Sequence, residues 1–150
     1  MKIYASVFAT LMLSLSFSAS SAELVLTSDG ISKKGARGSQ SEVIAVDIVS
    51  DGNVRGFDFI IPVSEGAKVD TSRCLADLPK GFQGVCKFNG TEVAGIAIAT
   101  DKTSLPKGIH SVGHVTFGPG ALPKGGKIKF HAADVDGNTI SSSVAGEIHK

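Results

Sequence analysis

"SEVIAVDIVSDGNVRGFDFIIP", Ser41–Pro62, decides how the chain is read. In its first half Ile44, Val46 and Ile48 recur at every second position. In its second half Phe57, Phe59 and Ile61 do the same. A period of two is what a pleated strand imposes, because successive side chains leave on opposite faces. Pro62 has no N–H to give a ladder, so the second strand ends there. Between the halves lies Ser50-Asp51-Gly52-Asn53, and Asp-Gly between alternating runs is a strong hairpin signal.

The same grammar continues in both directions. "ELVLT" (Glu23–Thr27), "FQGVCKF" (Phe82–Phe88) and "IHSVGHVTF" (Ile109–Phe117) are short strand patterns, and "EVAGIAIAT" (Glu92–Thr100) carries Ile96 and Ile98. "KIKFHAADV" points Ile128, Phe130 and Ala132 one way and Lys127, Lys129 and His131 the other. "TISSSVAGEI" alternates through Ile140, Val144 and Ile148. Turn clusters separate them: "SDGISKKGARGSQ", "FNGT", "GPGALPKGG" and "DVDGN". No stretch keeps a long helical period, and only Asp70–Leu78 suits a short helix or turn. The tetrapeptide Leu-Pro-Lys-Gly recurs at Leu78–Gly81, Leu105–Gly108 and Leu122–Gly125. Pro presets φ for the second position of a β-turn and Gly closes it, so each copy reads as a turn. Many short strands with turn punctuation in 150 residues mean an all-β, antiparallel sandwich or barrel.

The first 22 residues read differently. Lys2, an apolar run over Val7–Leu15 and the small residues Ser20-Ser21-Ala22 describe a secretory signal peptide cleaved between Ala22 and Glu23. The apolar run is shorter than the ~20 residues a spanning helix needs, so no membrane insertion is expected. The expected mature unit is one domain, residues 23–150, secreted or periplasmic. Without Lys2, the 15 Lys plus Arg fall level with the 14 Asp plus Glu. That balance gives no footprint for nucleic acid. In an oxidising compartment the lone pair Cys74 and Cys86 reads as a structural disulfide.

Chemistry-bearing patterns are sparse. His110 and His114 sit two pleats apart on what reads as one strand face, with His131 as a third zinc ligand from another strand; exposed strand histidines explain the same residues. Asp134–Thr139, "DVDGNT", opens like a calcium loop, but Thr139 and Ala145 stand where Gly and Glu are needed, so a hairpin turn is the reading. No serine lies in a Gly-x-Ser-x-Gly elbow. No catalytic residue, metal ligand or cofactor is therefore assigned.

Taken in order, the Gly-rich lead before "SEVIAVDIVS", the "V-x-G-F-D-F" of Val54–Phe59, "IAIAT", "LPKGIHSVGHVTF" and "IKFHAADVDGNTISSSVAGEI" resemble the cohesin domain family and its wider superfamily, which includes cellulose-binding modules. The resemblance spans most of residues 34–148. It implies a jelly-roll-type β-sandwich of about nine strands and a non-catalytic binding role. The leading functional reading is a secreted module that recognises a secreted or envelope protein through a sheet face or loop rim. The alternative is a carbohydrate-binding module taking a polysaccharide, and a secreted hydrolase is third. Sugar modules stack rings on exposed Trp or Tyr. The chain has no Trp, and its one Tyr, Tyr4, leaves with the signal. The outward phases read as small and polar, as at Ser141, Ser143 and Ala145, and the partner-binding residues are left unassigned.

Overall fold

The computed structural model describes residues 20–32, 41–121 and 127–145. Nine strands follow in chain order: β1 (Ser21–Ser32), β2 (Ser41–Ser50), β3 (Gly56–Pro62), β4 (Val69–Asp70), β5 (Phe82–Phe88), β6 (Glu92–Ala99), β7 (Gly108–Phe117), β8 (Lys129–Ala133) and β9 (Thr139–Ala145). There is no helix among the described residues, and within Asp70–Leu78 the chain leaves β4 at Asp70 and runs through turns over residues 72–77. The strand order is β4-β7-β2-β1-β9-β8-β3-β6-β5. It divides into a first sheet, β4-β7-β2-β1, and a second, β8-β3-β6-β5, with β9 as the corner. Thr139 and Ile140 pair antiparallel with β8, while Ser141–Ala145 run parallel to Ser21–Val25 of β1. A strand that changes sheets in this way is how a β-sandwich makes its corner.

The alternation that organised the sequence reading also builds the core. Ile44, Val46 and Ile48 from β2 and Phe57, Phe59 and Ile61 from β3 are all buried. Leu24 and Leu26 of β1, Val112, Val115 and Phe117 of β7, and Phe130 and Ala132 of β8 complete the filling between the sheets. The one buried polar side chain among the described residues, Ser50, gives its hydroxyl to the Leu105 carbonyl at 2.9 Å and accepts from the Gly52 N–H at 3.0 Å. A buried hydroxyl that is satisfied in this way carries little penalty.

Several turns differ from the sequence reading. Asn89 and Gly90 close a true hairpin between β5 and β6, and Asp134–Asn138 close another between β8 and β9. Asp51–Gly52 does not: β2 and β3 lie in different sheets, and the turn carries the chain across the sandwich. "SDGIS" was expected to be a loop. It instead continues β1 to Ser32 across a bulge between Ser28 and Gly30. In the first Leu-Pro-Lys-Gly copy the Phe82 N–H bonds to the Pro79 carbonyl, so Pro79 opens the turn instead of taking its second place. Gly81 then holds the third place with φ +91°, a region that only glycine enters freely. In the second copy Leu105 is wholly buried and bridges Val54, so this turn is anchored in the core. The third copy lies outside the described residues, as do Ile148 and the apolar core of the proposed signal peptide.

Candidate interaction face

The second sheet presents its outer face to solvent, and that face is where the sequence reading needs its main correction. β6 alternates as expected, but its outward phase is not small and polar: Val93, Gly95 and Ala97 point inward, and Ile96 and Ile98 point out at 58% and 62% exposure. The reason lies on β3. Phe59 pairs with Gly95, and a Cβ on Gly95 would stand 2.3 Å from the Phe59 ring. The ring therefore takes the space over β6 that a branched side chain would need, and the large residues of β6 are left on the outside.

The register assembles the face in rows. Val85 of β5 lies opposite Ile96, Ile96 opposite Asp58 of β3, and Asp58 opposite His131 of β8. The next row runs Gln83, Ile98, Gly56, Ala133, and the one on the other side Lys87, Ala94, Ile60, Lys129. Val85 is 55% exposed, so Val85, Ile96 and Ile98 form a contiguous apolar patch. His131 Nδ1 lies 3.0 Å from Asp58 Oδ1 and closes one side of it, both groups being well exposed.

Within the patch Gly56 leaves a shallow furrow bounded by Ile98, His131, Ala133 and Thr139. Neither backbone nor packing demands glycine there. A Cβ on Gly56 would meet its nearest neighbour, the Ala97 carbonyl, at 3.4 Å, an ordinary contact. Arg55, immediately before it, braces the rim. Its guanidinium donates to the carbonyl of Asp101, after β6, and to that of Val135, in the β8–β9 turn. The face thus has an apolar centre with polar and charged residues around it, and the Arg55 guanidinium ties one margin to backbone carbonyls.

No family model and no curated protein matches the sequence. Solved structures do match. A non-cellulosomal cohesin from the archaeon Archaeoglobus fulgidus superposes with a TM-score of 0.54 at 15% identity, covering 84% of this chain and 88% of that one. The type II cohesin A11 of Bacteroides cellulosolvens gives 0.51 at 16% identity, over 82% and 95% of the two chains. A cohesin from a type I cohesin–dockerin complex of Clostridium thermocellum gives 0.51 at 14%, over 84% and 96%. The fold is cohesin-like. At these identities the likeness is one of architecture, and the fold alone does not assign a function.

In this cohesin-like frame the other candidate residues fall apart as a group. His110 pairs with Ile48, on the inner phase of β2, and His114 with Ala45, on its outer phase. A bulge in β7 shifts the register between them, so the two histidines do not share a face, contrary to the sequence reading. His110 Nε2 bonds to the Pro106 carbonyl at 2.6 Å, and His131 lies on the other sheet beside Asp58. Asp134 accepts the N–H groups of Asp136 and Asn138, both at 2.9 Å, which is a turn's use of a carboxylate. Among the described residues no three metal-binding side chains converge. Cys74 and Cys86 are joined, with their Cα atoms 6.1 Å apart.

Proposed function

We propose that this chain is a secreted, non-catalytic recognition module that docks a protein partner on the outer face of β8-β3-β6-β5. The observation that carries the reading is the exposed patch of Val85, Ile96 and Ile98 on a sheet whose other side packs the core through Phe57, Phe59, Val93 and Phe130. Single exposed apolar residues are ordinary, but a contiguous patch rimmed by charges marks an interaction surface. Here Lys87, Lys129, Asp58 and His131 form such a rim, suited to a partner with an apolar centre and a mixed-charge margin. One of the similar solved structures is itself a cohesin–dockerin protein complex, which supports a protein over a sugar as ligand. So does the absence of Trp and of any Tyr beyond Tyr4.

Secretion belongs to the same proposal. Cleavage between Ala22 and Glu23 would remove the first two residues of β1 and leave Glu23 as its start, still opposite Val49 and Ser143. A disulfide fits an oxidising compartment.

The test is a side-by-side capture at physiological salt, using the secreted protein and its Ile96→Asp variant. The expected result is specific retention of a protein from the secreted and envelope fractions, reduced at least about tenfold by the variant, as for a central contact of an interface. Cellulose, chitin and peptidoglycan are expected to retain no more than an albumin control does. Saturable glycan binding with no protein retained would overturn the reading, and so would equal protein capture by the variant.

A further inference from the structure

The two ends of the strand order are finished in different ways. At one end β4 is two residues long, and the turns after it cover β7: the His114 N–H bonds to the Arg73 carbonyl and the Asp77 N–H to the Val112 carbonyl. At the other end β5 is seven residues long, pairs among the described residues only with β6 and contains neither proline nor a bulge. An edge of that length is a template for another strand unless something blunts it.

The hydrogen bonds on either side of β5 show which of its groups are free. The Thr100 N–H bonds to the Gly81 carbonyl and the Asn89 N–H to the Glu92 carbonyl. In an antiparallel ladder the bonding alternates, so Gln83, Val85 and Lys87 direct their backbone groups to β6. Gly84 and Cys86 direct theirs outward, to the open side. The strand carrying them is held in place, since Cys86 is bonded to Cys74. A Cβ at Gly84 would meet Leu75 at 2.7 Å and Leu78 at 2.8 Å, so those side chains fill the space beneath it.

We propose that β5 pairs antiparallel with β5 of a second copy of this chain, about a two-fold axis through Val85. In that register the Gly84 N–H donates to the Cys86 carbonyl of the second copy, and the Cys86 N–H donates to its Gly84 carbonyl; the axis repeats both bonds. The two Val85 side chains then form a non-hydrogen-bonded pair, the arrangement in which opposed side chains come closest. Each Val85 already lies opposite Ile96, so the apolar patches of the two copies meet across the axis. Charge disfavours one alternative register. Centred on Val85, each Lys87 faces Gln83 of the second copy, whereas an axis at Lys87 would oppose two ammonium groups. The pairing uses the edge of the sheet, leaves most of its outer face open and does not depend on the function proposed above. A single edge contact buries less than the ~800 Å² per partner of a standard interface, so the dimer is a weak one.

Sedimentation equilibrium of the secreted protein over a wide concentration range tests this. The expected result is a weight-average mass that rises with concentration toward twice that of the chain. Val85→Lys places two cations against each other on the axis and is expected to weaken association at least about tenfold, with an unchanged melting temperature because Val85 is exposed. Gln83→Glu places a carboxylate opposite each Lys87 and is expected to tighten it several-fold, an effect that shrinks in high salt. A chain that stays monomeric throughout overturns the proposal. So does a dimer indifferent to Gln83→Glu, even if Val85→Lys should fail to fold.

Discussion

Gly56 and Gly95 stand on neighbouring strands of one sheet, and their missing side chains serve different ends. Gly95 makes room for a buried ring, whereas Gly56 opens the furrow on the outside. Gly95→Ala is therefore expected to destabilise the protein by about 1–3 kcal/mol, the usual cost of overpacking. Urea unfolding measures it, and Phe59→Leu in the same chain should recover part of the loss, since the two sites touch. Gly56→Leu should leave the melting temperature unchanged or slightly raised, because glycine is a poor strand residue, yet reduce partner capture at least about tenfold. None of this was legible in the letters alone. "EVAGIAIAT" shows a period of two, but a period does not say which phase faces inward. The deciding residue, Phe59, is far away in sequence and adjacent only once β3 and β6 are paired.

Among the elements, the strands with both a clean period and a large inward residue, β2, β3 and β8, were readable with their faces. β7 was not. Its bulge inserts a residue between His110 and His114 and turns one to each side of the sheet, and nothing in "IHSVGHVTF" announces it beyond a mid-strand glycine. The crossing at Asp51–Gly52 was misread for a related reason, because a turn signal marks a reversal and not the sheet to which the chain returns. The cysteine bond was readable from the lone pair and the expected oxidising compartment. Their bond ties the turns over Asp70–Leu78 to edge strand β5 across a sequence separation of 12 residues. Cys86→Ser is expected to lower stability by about 2–4 kcal/mol, measured by denaturant unfolding without reductant. The loss should fall on β5 first, visible as faster amide exchange there than in β2.

For the whole molecule, sequence reached the architecture and stopped short of the exposed apolar patch proposed as the docking face, since a sandwich is specified by alternation and such a patch by what the core leaves outside. Its acid response follows from three turn carboxylates. Asp70 is held below the ordinary carboxylate range by the Ser72 hydroxyl and then the Ser72 N–H. Asp101 is lowered in the same way by the Thr103 hydroxyl and N–H. At Asp51 burial pushes upward and the N–H groups of Asn53 and Ser21 together outweigh it; cleavage after Ala22 would take the Ser21 donor away and leave those of Asn53. A carboxyl depressed in the folded state stabilises it fully above the unfolded value of about 3.9 and loses that contribution as pH falls through the folded value. The urea midpoint should thus be flat down to about pH 5 and decline below about pH 4. A decline that begins above pH 6 would point to other groups.

The parallel seam between β1 and β9 also determines how the molecule bears a load. Because Glu23–Val25, the part of β1 that cleavage after Ala22 would keep in the seam, run in the same direction as Ser143–Ala145, β1 enters the seam at one pole of the sandwich and β9 leaves it at the other. Tension applied through those two strands pulls them lengthwise past each other, so the ladder bonds between them must yield together. In a hairpin pulled from its open end they would unzip one at a time. A body held at one pole and gripped at the other would resist extension through this seam, with its lifetime under force governed by the rate of unfolding.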